Sequence, residues 1–207
     1  EHLLTSPVLS ESDSSKFAVE ADIIGFLKNN EYFSPISKGA TYPGILVLPK
    51  LTYQVANKLR LELGATGLYY SGDQNKDGVK VLNSIFARIQ YSIRPNFNLV
   101  FGNYYGGVNH RLIEPLYKWE RHLIEKPESG LQLLYQNDRF FADMWLNWQC
   151  YIEHGDSVPE VLTYGISSSA KLTSPESRFQ VSIPLQFLIY HQGGQIDTSS
   201  KKMIVSG

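Results

Sequence analysis

Four groups of residues in this 207-residue chain have types and spacing that could do chemistry. His154, Asp156 and Ser157 fall in one polar stretch and His191 in another, the side chains of a serine–histidine–acid hydrolase. No nucleophile-elbow motif surrounds Ser157, and His154-Gly155-Asp156 reads equally well as a turn. Asp73-Gln74-Asn75-Lys76-Asp77-Gly78 matches the opening half of a calcium loop, with Asp73, Asn75 and Asp77 as ligands. The bidentate Glu such a loop needs is replaced by Ser84, and a polar turn explains the same letters. His110, Glu114, Glu120 and His122 are metal-ligand types, but their spacing matches no metal site. The lone Cys150 allows no intrachain disulfide and reads as a small apolar filler. No cluster announces a reaction, so the expectation is a protein with no enzymatic activity, no metal and no cofactor.

The fourth group is electrostatic. Lys50, Arg60, Glu62, Arg88, Asp143 and Lys171 all fall on the polar side of segments that alternate apolar and polar residues. Alternation with a period of two gives a strand one oily and one wet face. Six charges on one face would be costly in a dry core unless paired, but are at home in a water-filled lumen. They are read as lumen-facing charges that would set ion selectivity.

Four hairpins carry these positions. Ile45, Val47, Pro49, Leu51, Tyr53 and Val55 turn at Ala56-Asn57-Lys58 into Leu59, Leu61, Leu63 and Tyr69. Pro49 removes a ladder hydrogen bond, which predicts a bulge or a rim position. The second hairpin turns at Arg94-Pro95-Asn96, the third at Gln136–Arg139 and the fourth at Thr173–Ser177. A first strand is predicted over Phe17–Leu27, followed by an Asn-, Pro- and Gly-marked loop over 29–43. About nine strands result, with very short turns on one side and long polar loops on the other, as in an outer-membrane barrel. Residues 1–17, rich in Ser, read as a flexible tail, and 18–207 as the barrel domain.

Composition agrees. The net charge is −1, with 19 basic and 20 acidic residues, which gives no nucleic-acid surface. Aromatics reach 13 %. They gather near strand ends at Tyr53, Tyr69, Tyr70, Tyr104, Tyr105, Tyr135, Phe140, Phe141, Tyr151 and Tyr190, a pattern that two interfacial girdles would give. No stretch approaches the roughly 20 apolar residues of a spanning helix, which leaves barrel strands of about ten residues open. The longest irregular segment, Val108–Gly130, spaces Leu112, Ile113, Leu116, Tyr117, Trp119, Leu123 and Ile124 like a short amphipathic helix broken near Pro115. Its residues His110, Arg111, Glu114, Tyr117, Trp119 and Glu120 are candidates for a constriction or plug; a surface helix is the competing reading.

Asn109-His110-Arg111-Leu112-Ile113-Glu114-Pro115-Leu116-Tyr117, with Glu120-Arg121 and Glu128-Ser129-Gly130-Leu131-Gln132, resembles a porin-like outer-membrane β-barrel family of the Bacteroidota. Asn29–Pro35 and His191–Asp197 are similar to further segments of that family. The resemblance covers most of residues 20–197. It implies a larger transmembrane barrel, brings no catalytic residues, and makes a barrel continuing past Gly207 the expectation. The combined reading is an all-β, antiparallel, up-and-down transmembrane β-barrel in the bacterial outer membrane. It would pass small polar solutes or scaffold a surface complex, with the lipid bilayer and other outer-membrane proteins or lipoproteins as partners. The alternatives are a soluble all-β glycan- or lipid-binding protein and a membrane-embedded hydrolase.

Overall fold

The alternating segments fold as one ten-stranded antiparallel sheet in which every strand lies beside its neighbours in the chain. The computed structural model describes residues 6–33, 38–71, 79–118, 121, 123, 125–153, 158–174, 176–193 and 204–206. The strands are β1 (Lys16–Phe33), β2 (Lys38–Val55), β3 (Leu59–Ser71), β4 (Val79–Arg94) and β5 (Phe97–Asn103), then β6 (Ser129–Gln136), β7 (Phe140–Cys150), β8 (Glu160–Lys171), β9 (Ser182–Gly193) and β10 (Ile204–Ser206). Pairing of β1 with β9 or β10 does not occur among the described residues. The fold is all-β and up-and-down, as the alternation requires, and no α-helix occurs among the described residues.

Register puts each face in rows. Ile89, Phe101, Leu131, Leu146, Tyr164 and Ile189 are successive partners across six strands, all on the outer face. Leu63, Ile85, Phe101 and Leu185 on that face are 60, 79, 60 and 65 % exposed. Water-exposed proteins rarely show so continuous an apolar surface, whereas hydrocarbon accepts it. Among the described residues no second layer covers it, as the soluble alternative requires. The intervening residues Leu48, Lys50, Phe86, Arg88, Gln132, Asp143 and Trp145 are buried on the inner face.

Several expectations need correction. The 29–43 stretch is largely strand: β1 and β2 pair through Asn29–Thr41 and Asn30–Ala40, because the long hairpin ladder outweighs local turn signals. Pro43 lies beyond the last β3 rung at Gly44–Tyr70, where a missing N–H costs β3 nothing. Pro49 lies mid-strand without a bulge; the β2–β3 ladder skips Leu48 and Pro49 and resumes in the same register. The strand number agrees with the expected nine or so: ten among the described residues, the last only three residues long. Tyr70, Tyr104, Tyr105 and Phe141 face inward and are buried, so they belong to no girdle. The short-turn rim does carry outward aromatics, with Phe17 stacked on Tyr53 at 4.2 Å and Tyr135 against Phe97 and Phe140. The tail is also partly built in: Gln54 donates to the Ser10 carbonyl, Gln90 to the Pro7 carbonyl at 3.0 Å, and Glu11–Asp13 form a 3-10 turn.

Candidate active site

The segment joining β5 to β6 decides what the lumen can do. The predicted amphipathic helix lies partly outside the described residues; within them its spacing yields single turns, with the Tyr117 N–H on the Ile113 carbonyl at 3.1 Å and the Glu125 N–H on the Arg121 carbonyl at 2.8 Å. Gly107–His110 form a 3-10 turn, ended by Arg111 at φ 54°. Burial selects other positions: Tyr104, Tyr105, His110, Leu112 and Tyr117 are buried, while Ile113 and Leu116 are exposed. The first part of the segment folds back over the inner face of the sheet. Arg111 donates to Gln136 at the short-turn end of β6, and Gln186 of β9 bridges the Arg111 carbonyl and the Ile113 N–H at 2.7 and 3.0 Å. The chain then returns to Glu128 and the start of β6.

At the deepest point His110 is enclosed by charge and aromatic surface. Its Nδ1 lies 2.7 Å from Asp143 Oδ2, and its ring stacks on Trp145 with centroids 3.6 Å apart. Nε2 is 3.3 Å from Glu128 Oε2, close enough for charge pairing but poorly aligned, so Nε2 has no hydrogen-bond partner. Asp143 is held in turn by Gln132, whose amide donates to both carboxylate oxygens at 3.0 and 3.1 Å. Gln132 is itself locked to the Tyr105 backbone in both directions. Glu128 also accepts the Gly107 N–H at 2.8 Å. Burial disfavours charge on His110, yet the Asp143 hydrogen bond and the negative charges of Asp143 and Glu128 outweigh it and raise the imidazole to about 9. Glu128 feels burial in the opposite sense, and His110 together with the Gly107 N–H holds it below the ordinary carboxylate range. The Tyr104 hydroxyl is buried without a partner, and burial beside Glu128 and Asp143 pushes its pKa well up. Tyr104, Tyr117 and Glu128, which surround the imidazole, also line a cleft of about 540 Å3, counting space open to solvent. Arg88, Arg121 and Lys126 line the same cleft.

The predicted lumen charges do not form a wet, selective wall. Glu62 accepts from Arg60 at 2.7 Å and from Arg88 at 3.3 Å, and lies 3.7 Å from Lys50. Lys50 reaches Asp22 at 2.9 Å, and Arg60 reaches Glu20 at 2.8 Å. These charges are paired, with Lys50, Glu62 and Arg88 buried and Arg60 partly so, and Asp143 is committed to His110. Lys171 sits exposed at the short-turn end of β8, outside this network. The porin expectation therefore finds no support, because the inner-face charges are spent on one another. Of the proposed plug residues, His110 and Tyr117 are buried, Arg111 lies 3.8 Å over the Phe141 ring, and Glu114 is exposed. Trp119, Glu120 and His122 lie outside the described residues, as do the calcium candidates Asp73, Asn75 and Asp77 and the hydrolase candidates His154, Asp156 and Ser157. His191 pairs with Leu162 on the outer-face parity, away from the lumen. Among the described residues no acidic or histidine cluster could hold a metal.

Nothing in their local sequence marks Glu128, Tyr104, Gln132 or Trp145 as site residues, and no spacing pairs His110 with Asp143. One signal was available. Asp143 is a single acid between Phe141 and Trp145 on an inward face, and such an acid demands a partner.

No curated protein and no solved structure matches the chain. A family model described as Lipid A 3'-O-deacylase-type matches residues 9–206. That description is of an enzyme, and it overturns the expectation of a protein without enzymatic activity. The lipid A deacylase family is associated with the outer membrane, in keeping with the apolar outer face of the sheet. With a match that runs through all ten strands and the His110-bearing segment, the chain belongs to the Lipid A 3'-O-deacylase-type family.

Proposed function

We propose that this protein is an outer-membrane hydrolase that removes an ester-linked acyl chain from a lipid A-type glycolipid. The carrying observation is the Asp143–His110–Glu128 array, whose imidazole Nε2 lacks a hydrogen bond and lies behind the wall of an open cleft. Neutral His110 takes a proton from water through Nε2 while Asp143 holds Nδ1–H. The hydroxide equivalent adds to the ester carbonyl, the bond from carbonyl carbon to sugar oxygen breaks, and the proton passes to that oxygen. The products are a fatty acid and a sugar hydroxyl. The unpartnered Tyr104 hydroxyl is the donor available to the developing oxyanion. Arg88 and Arg121 on the cleft wall are paired with Glu62 and Glu125, which leaves Lys126 as the cleft cation offered to an anionic glycolipid.

The two carboxylates that favour an imidazolium after proton transfer also keep His110 charged at neutral pH. Activity is therefore expected to rise with pH as His110 deprotonates near 9. The test is mass spectrometry of lipid A incubated with the purified protein in mixed micelles between pH 7 and 9.5. Loss of one acyl chain, rising with pH and abolished in His110→Gln, is the expected result. An intact substrate throughout, or full activity in His110→Gln, refutes the proposal.

A further inference from the structure

The wall of the sheet is uneven, and its lowest point lies beside the cleft. β5 has seven residues and β6 eight, while the flanking β4 and β7 have 16 and 11. At about 3.4 Å per residue and a tilt of 35–45°, seven residues give a wall roughly 18 Å high. The apolar band of a transmembrane barrel is about 25 Å tall. The β4–β5 ladder ends at Arg88–Gly102, and the β6–β7 ladder ends at Gly130–Asn147. Above that row β4 has no strand partner on its β5 side among the described residues.

This edge is shaped, not frayed. Gly102 and Gly130 are directly paired and adopt φ of +90° and +151°, values that side chains rarely accept. A Cβ at Gly102 would meet the Ala87 carbonyl oxygen, and one at Gly130 the Leu146 carbonyl oxygen. Side chains then replace the missing ladder. Asn103 Oδ1 accepts the Ala87 N–H at 2.9 Å, and Asn147 Oδ1 accepts the Ser129 N–H at 3.3 Å. Unpaired backbone facing hydrocarbon is costly, and these two amides remove that cost where the wall stops.

The resulting notch is a depression of about 1290 Å3, counting space open to solvent. Ile85, Ala87 and Trp148 border it from the lipid-facing side. Its back is Glu125-Lys126-Pro127, and the same three residues line the cleft in front of Tyr104 and Glu128. One short segment therefore separates the outer surface from the candidate active site.

We infer that this notch is a lateral portal through which one hydrocarbon chain of a membrane lipid passes from the bilayer toward the cleft. The height shortfall supports a lipid occupant, since the notch opens at the level of acyl chains. Its border is also continuous with the lipid-facing surface. Exposed Lys126 offers an ammonium to an anionic headgroup that stays outside. The inference rests on the proposed deacylase reading for its purpose but not for its test.

A nitroxide is placed at Pro127→Cys, or at Lys126→Cys should the first variant fold poorly, both in a Cys150→Ser background. The labelled full chain is reconstituted in dioleoylphosphatidylcholine vesicles. Collisions with oxygen exceeding those with a water-soluble nickel chelate are expected at either site. Dominance of the chelate would mean a water-filled rim and would overturn the portal. In parallel, Ala87→Phe narrows the notch. It is expected to slow deacylation of vesicle-embedded lipid A while leaving hydrolysis of a short-chain soluble ester unchanged. Equal effects on both substrates overturn the portal; wild-type protein inert toward both overturns the hydrolase reading, and the nitroxide result alone then decides the portal.

Discussion

Replacing Asp143 by Asn keeps the shape of the partner of His110 and removes its charge. Held at about 9 instead of 6.5, the buried imidazole contributes to stability through the proton it retains. Each pKa unit is worth about 1.4 kcal/mol, so the contribution amounts to roughly 3 kcal/mol. The folded-state value lies above the unfolded one. The stabilisation is therefore complete below about pH 6.5 and is lost as pH rises through 9. Asp143→Asn should cost about 3 kcal/mol at pH 6 and much less at pH 10, because it removes the larger of the two carboxylate contributions while burial still penalises the charge. Urea unfolding in detergent micelles at the two pH values reads this directly. Trp145 supplies an independent probe, since it stacks on the imidazole and a protonated imidazole quenches indole fluorescence. With Trp119 and Trp148 changed to Phe, emission should rise with a midpoint near pH 9 in the parent and at a clearly lower pH in Asp143→Asn. Stability that is flat from pH 6 to 10, or a parent midpoint near 6.5, would refute the geometry described for His110.

Glu62→Gln leaves Lys50, Arg60 and Arg88 with less counter-charge on a buried face and should cost about 3–5 kcal/mol in the same unfolding assay; a loss below about 1 kcal/mol would show the network to be solvated. Because residues 104–118 fold over the inner face of the sheet and the charges there are paired with one another, protein incorporated in planar bilayers should show no steady ohmic conductance, and a stable open pore would contradict that packing.

The residues determine some of this protein without help from tertiary structure. Period-two alternation sorts Ile85, Ala87 and Ile89 from Phe86, Arg88 and Gln90, and short turns at Ala56–Lys58 and Pro95-Asn96 fix the hairpin register. These are local properties: a strand's two faces and a turn's dihedral demands travel with the sequence. The site depends on distance in the chain. His110 meets Asp143 across 33 positions, and Lys50 meets Asp22 across 28, pairings that no spacing rule encodes. The helical rhythm of Leu112, Ile113, Leu116 and Tyr117 gives a single turn, closed by the Tyr117 N–H on the Ile113 carbonyl, but it does not decide burial. Leu112 and Tyr117 are buried while Ile113 and Leu116 stay exposed, because burial follows the neighbouring sheet instead of the apolar period. The charged inner face carries the same lesson: isolated in sequence, Glu62, Arg60 and Arg88 look like the lining of a water-filled channel. Folding brings Glu20 and Asp22 opposite them and lays Tyr105 over Arg88 at 3.8 Å, and dense pairing with little solvent then makes a closed, low-dielectric interior.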